Sequence, residues 1–237
     1  MKSIKHILVV LFCIGLTFQA VAGGGWTKKK GTGYFKLSQW WLISDQHFTS
    51  TGAIDPNQTM GLFNTSIYAE YGLTDRFTSI VYAPLFSRAL FYNQISGTTG
   101  EVLTSGEAIN SIGDTDITLK YGLIQDKKIV LSSSLMLGLP LGNNSGGSAG
   151  NLQTGDGEFN QMIRLDASTS LNIKNLPTFY TIYAGVNNRT NGFSDEFRYG
   201  IEAGFLAFDS KVIGVGRLYG IQSFQNGNTN AEGAADT

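Results

Sequence analysis

The chain has one cysteine, Cys13, two histidines, four prolines and 15% charged residues. Each scarcity excludes something. A single thiol cannot build a disulfide scaffold, and one histidine outside the leader with no cysteine beside it cannot make a zinc site. No metal and no cofactor is expected. Seventeen basic against eighteen acidic residues is not the balance of a chain built to bind nucleic acid. Beyond the leader there is no apolar run of about 20 residues, which excludes a helical membrane span. Few prolines beside thirty glycines fit an all-β chain rich in turns.

Residues 1–22 read as a secretory signal peptide. Lys2 and Lys5 form a positive start, Ile7 to Phe18 an apolar run, and Ala20-Val21-Ala22 a small-residue cleavage site before Gly23-Gly24-Gly25. Phe12 is bulky where a lipoprotein signal needs a small residue, which disfavours an anchor on Cys13. Cleavage removes both lysines and leaves an acidic excess. Residues 23–237 read as one outer-membrane β-barrel domain.

What the chain has in quantity is period-2 alternation. Nine segments place apolar side chains on one face and polar ones on the other: Gly33 to Ser44, Gly61 to Leu73, Phe77 to Phe86, Gly113 to Leu123, Ile129 to Leu141, Glu158 to Asn172, Phe179 to Arg189, Glu196 to Phe208 and Val212 to Gln222. In the fourth, Thr115, Ile117, Leu119, Tyr121 and Leu123 oppose Asp114, Asp116, Thr118, Lys120 and Gly122. A helix would scatter these residues around its surface, whereas a strand keeps them on two faces. The third segment is apolar on both faces, and its Pro84 belongs at a strand end because it donates no ladder hydrogen bond.

Connections alternate between short and long. Thr74 to Arg76, Gln125 to Lys128, Lys174 to Pro177 and Asp209-Ser210 are tight turns. Asp45 to Met60, Ser87 to Ile112, Gly142 to Gly157 and Thr190 to Asp195 are polar and mostly longer. Outer-membrane barrels show this asymmetry, with short turns periplasmic and long loops outside. The fold expected is therefore all-β, an antiparallel transmembrane up-and-down β-barrel. A soluble β-sandwich also alternates, but its polar face should be rich in Lys and Glu; here it is mostly Ser, Thr, Asn and Gly. Nine strands leave the carboxyl end outside and give an odd count, from which carboxyl-terminal strands are expected to be missing.

The inner wall is expected to carry Lys36, Glu70, Asp114, Asp116, Lys120, Arg164, Asp166, Arg198, Glu202 and Arg217. One slip of register would turn a basic residue of this set into lipid, at about 2–4 kcal/mol near the midplane. The mixed signs suit a salt-bridged wall better than a selective ring of one charge. Asp114 and Asp116 flank one residue and point the same way, which would also suit an acid–base pair or a cation. His47, with Asp45 and Ser50 near it, is the one place for a catalytic cluster, and a solvated loop histidine is the stronger reading. Gly-rich Asn143 to Gly157 lacks the lysine of a phosphate loop. Trp26, Tyr34, Trp40 and Trp41 suit interfacial girdles or plain packing.

The stretch Gly113-Asp114-Thr115-Asp116-Ile117-Thr118-Leu119-Lys120-Tyr121-Gly122-Leu123, with Leu137 to Gly142 and Thr154 to Gly157, resembles the family of phenol meta-pathway degradation-like outer-membrane barrels. Tyr71-Gly72-Leu73-Thr74-Asp75-Arg76 fits the same pattern. The resemblance implies a barrel of about twelve strands, related in kind to fatty-acid and aromatic-hydrocarbon channels. It also implies uptake of small, hydrophobic or aromatic molecules. A bacterial outer membrane follows as the expected location, with its lipid, its assembly machinery and a small solute as partners. A passive channel is expected rather than an enzyme. A structural or adhesive barrel without conductance and an outer-membrane lipid hydrolase are the alternatives.

Overall fold

A computed structural model describes residues 23–48, 51–55 and 59–225, the side chains of His47 and Asp55 excepted. The expected leader, Ser50 and residues 226–237 lie outside the described residues. Within them the chain is all β: β1 (Gly33–Ser44), β2 (His47–Phe48), β3 (Ile54–Asp55), β4 (Met60–Gly72), β5 (Phe77–Phe91), β6 (Gln94–Ile95), β7 (Val102–Thr104), β8 (Glu107–Ser111), β9 (Thr115–Ile124), β10 (Ile129–Leu139), β11 (Asn160–Ile173), β12 (Leu176–Arg189), β13 (Glu196–Ala207) and β14 (Val212–Ser223).

The nine segments expected from alternation are the long strands of one curled antiparallel sheet, in the order β1-β4-β5-β9-β10-β11-β12-β13-β14. Each strand pairs with its neighbour in sequence, an up-and-down meander. The remaining strands elaborate the long connections: β2 pairs β3, β6 pairs β7, and β8 extends alongside the upper part of β5. Tight turns define one rim and long loops the other. At the short-turn rim, β11 passes to β12 through Lys174 and Asn175, both at positive φ (49° and 65°). Ile173 pairs with Leu176 across them, so this is a two-residue hairpin loop of the primed kind, whose twist matches that of the strands.

Pro84 departs from expectation. It lies inside β5, which runs on to Phe91, rather than at a strand end. The ladder with β4 skips a residue there: Thr65 pairs with Phe86 and Ser66 with Pro84. At the same place β5 exchanges its other partner, β9 below Asp116 and β8 above Ser111. A bulge at a change of partner needs no N–H from Pro84, and its carbonyl still accepts from Gly113 N at 2.9 Å.

The faces are inverted relative to a water-soluble sheet. On the convex face Leu165 is 56% exposed and Ile182 59%, whereas on the concave face Asp166 is 1% exposed and Asn187 0%. Only Ala89, Leu90, Val130, Leu152, Met162 and Phe179 are buried hydrophobics among the described residues. Among the described residues no second layer packs against the apolar side of the sheet, as a soluble sandwich would require. Its edges are β1 and β14. Both run from the short-turn rim toward the long-loop rim, so an antiparallel partner for either must come from a strand running the other way.

Candidate functional site: the concave face

Inward-pointing side chains of the meander build a stack of ion pairs between the two rims. Nearest the long-loop rim, Arg189 at the end of β12 donates from Nε to Glu158 Oε1 at 2.7 Å and from Nη1 to Glu196 Oε1 at 2.8 Å. Arg198 donates to the other oxygen of Glu196 at 2.6 Å. Glu158 and Glu196 are buried, and each has a guanidinium against it. Alternation places Glu196 and Arg198 together because they are two apart on β13.

Halfway down, Arg164 donates to both carboxylate oxygens of Asp166, two residues on along β11. Its guanidinium lies 3.8 Å from the ring centroid of Tyr183 on the neighbouring strand, a stacked cation–π contact. Arg217 on β14 donates to Glu202 on β13 at 2.5 Å, across a directly opposed pair. Toward the short-turn rim, Glu70 accepts from Tyr68 Oη at 2.5 Å and pairs with Lys28 Nζ at 3.2 Å.

Residues 23–32, which precede β1, lie against this wall as a strap. Gly25 N donates to Ser168 Oγ at 2.8 Å, and Lys120 Nζ donates to the carbonyl of Gly24 at 2.5 Å. Gln125 Nε2 donates to Gly25 O at 2.9 Å while its Oε1 accepts from Thr27 N at 3.1 Å. Lys28 N donates to Thr78 Oγ1 at 2.8 Å, and Lys30 N to Asp75 Oδ1 at 2.9 Å. From Gly25 to Lys30 the backbone of the strap thus finds partners in side chains, and only at Gly31 and Thr32 does it bond the sheet backbone, at Gly72 of β4.

Three cavities open on the concave face. One of about 220 Å³ is bordered by Tyr68, Tyr82, Asp116, Lys120, Met136 and Arg164, among others. A second, of about 380 Å³, lies between Lys36 and Glu70 on one side and Glu202 and Arg217 on the other. A third, of about 200 Å³, borders Arg164, Tyr183 and Arg217. Their walls mix aromatic and thioether surface with charges of both signs.

The ten residues expected on the inner wall divide as follows. Lys36, Glu70, Asp116, Lys120, Arg164, Asp166, Glu202 and Arg217 border the cavities, and Arg198 belongs to the upper ion-pair cluster. Asp114 borders none of these cavities. It precedes β9, and its carboxylate accepts from Gly142 N and from Asp156 N, both at 2.8 Å, clasping the two ends of the β10–β11 loop. Asp114 and Asp116 are therefore not brought to a shared task. Burial and the hydrogen bond to Asp114 raise the pKa of Asp156 above the ordinary carboxylate range. His47 pairs through its backbone with Asp55 in the first long loop, and its side chain is outside the described residues.

Glu158, Arg189 and Glu196 were not among the residues expected on the wall, although Glu196 shares the alternation of Arg198 and Glu202. The strap was not foreseen either, and Trp26 lies within it, ahead of β1. Among the described residues no group of three or more His, Cys, Asp or Glu side chains is placed to hold a metal ion.

Compared with protein-family models and with curated proteins, the chain matches none.

Proposed function

We propose that this chain forms the wall of a barrel in a bacterial outer membrane and passes small molecules through it by passive diffusion. One observation carries the reading: oily side chains cover the convex face while buried ion pairs and hydroxyls occupy the concave one. Hydrocarbon accepts the first face and not the second, and a curled sheet satisfies its interior backbone groups within itself. Alternation of tight turns with long loops supports the same orientation, short turns in the periplasm.

The mechanism needs no coupled energy. A solute enters between the long loops and exchanges part of its hydration for the hydroxyls, ring faces and mixed charges of the wall. Pairing of positive with negative groups leaves little net field, so neither anions nor cations are strongly preferred. The resemblance carried by residues 113–123 adds hydrophobic or aromatic solutes to the candidates. Lipid and the outer-membrane assembly machinery are the partners this reading requires. A non-conducting structural or adhesive barrel is the second reading, favoured by the strap and ion pairs that occupy the concave face. Reconstitution of the full chain decides between them. Ion current in a planar bilayer and liposome uptake of aromatic, fatty and sugar solutes are expected; folded protein giving neither current nor uptake overturns the channel.

A further inference from the structure

The strap has a property its hydrogen bonds alone do not explain: its two-residue tip reaches all three cavities. Gly23 and Gly24 both border the 220 Å³ cavity, Gly23 the 380 Å³ cavity, and Gly24 the 200 Å³ cavity. Removing those two residues would enlarge all three, with Tyr68 and Glu70, Arg164, and Glu202 with Arg217 still standing between pairs of them. No other two consecutive described residues border all three.

The seat is made for glycine. At Gly24, where φ is +62°, a Cβ would stand 2.4 Å from Thr181 Oγ1 and 2.7 Å from Ser168 Oγ. At Gly25 it would meet the carbonyl of Val130 at 3.1 Å. A side chain at either position would push the tip off the wall. Farther along, Thr27 Oγ1 donates to the Asp75 carbonyl at 2.8 Å and Lys28 spans to Glu70, which fixes the segment at the short-turn rim. The seat draws on several strands: Glu70 from β4, Thr78 from β5, Lys120 from β9, Ser168 from β11 and Thr181 from β12.

We infer that residues 23–30 are a resident plug that closes the channel at its short-turn mouth, held by side chains rather than by a ladder so that it can leave without breaking the sheet. The inference rests on the channel reading. The hydrogen bonds from Gly24 to Lys28 run to side chains or a turn carbonyl, so withdrawal leaves all eight ladders of the nine-strand path intact. Glu70 and Lys120 are the charged groups that the departing strap would uncover. Signal cleavage after Ala22 would place a free ammonium on Gly23, whose Cβ position lies 3.9 Å from Glu70 Oε1. That carboxylate would then hold the plug at its tip as well as at Lys28.

The test compares the full chain with a form lacking residues 23–30 and with Gly24→Val, each processed from its precursor and reconstituted in planar bilayers. The strap tip occupies wall in all three cavities, so the deletion is expected to raise unit conductance about twofold. Gly24→Val, which keeps every ladder, should move it the same way by less. A Lys28→Cys, Thr78→Cys pair, oxidised to tether the strap, should hold conductance at the level of the full chain or below. Equal conductance in the full chain, the deletion and Gly24→Val overturns the plug and leaves the channel standing. Silence from all forms while they remain folded overturns the channel reading and the plug with it.

Discussion

Replacing Leu165 with arginine measures what the convex face touches. Leu165 sits near the middle of β11, between inward-pointing Arg164 and Asp166, and is paired with Ser133 on one side and Ala184 on the other. Leu165 is 56% exposed, so the substitution removes little packed surface. If water bathes that face, an exposed leucine replaced by arginine changes stability by no more than about 0.5 kcal/mol. If hydrocarbon covers it, the guanidinium sits near the bilayer midplane and costs about 2–4 kcal/mol. The two outcomes differ by at least a factor of ten in the folding constant, since about 1.4 kcal/mol is tenfold. Ile173→Arg is the internal control: it closes β11 at the short-turn rim, where the cost falls to about 0–1 kcal/mol. Reversible folding into phospholipid vesicles across a urea series gives both values, followed by tryptophan emission. A Leu165→Arg penalty no larger than that of Ile173→Arg would refute the membrane assignment.

Arg189→Met should be among the most damaging polar substitutions in the wall, at about 3–5 kcal/mol, because it strands the buried Glu158 carboxylate. Glu196 keeps Arg198, so a loss below about 1 kcal/mol in the same urea series would show that Glu158 is solvated instead. The raised pKa of Asp156 means the folded loop holds a proton more tightly than the unfolded chain does. The loop should therefore gain stability as pH falls through that raised value, the gain being complete below the ordinary aspartate value. Hydrogen exchange at the Gly142 and Asp156 amides should slow over that window, and Asp156→Asn should flatten the dependence; a dependence unchanged in the variant would assign it elsewhere. At the β11–β12 hairpin, Asn175→Val forces a β-branched residue to φ 65° and should cost about 1–2 kcal/mol, while Asn175→Gly should be near neutral. Equal effects of Val and Gly in thermal unfolding would remove the left-handed turn from the account.

The strands were legible because an apolar and a polar demand alternate at every second residue over long segments. Ile117, Leu119 and Tyr121 opposite Asp116, Thr118 and Lys120 admit one reading. Pro84 misled for a sound reason: the rule that keeps proline out of ladders does not reach a bulge where the strand changes partner, and bulges leave no local mark in sequence. Glu196 was recoverable, since it continues the inward row of Arg198 and Glu202. Glu158 and Arg189 were harder, because each sits at a strand end where alternation has just begun or stopped. The strap was illegible. Gly23-Gly24-Gly25 after a small-residue cleavage site reads as a flexible start, and its partners, Ser168 and Lys120, are more than ninety positions away. Asp114 shows the converse: it shares the spacing of Asp116, but the loop backbone that captures its carboxylate is invisible to spacing.

The neighbour-by-neighbour order of the meander also governs how such a sheet can come into being. No ladder waits for a distant segment: once a hairpin has formed, the next strand along the polypeptide needs only the edge just completed. The slowest closure is then the one spanning residues 92–114 between β5 and β9, where β8 has already extended the edge of β5 part of the way. Assembly can advance like a zipper with one pause, and removing a whole hairpin from the middle should shorten the circumference without scrambling the strands on either side.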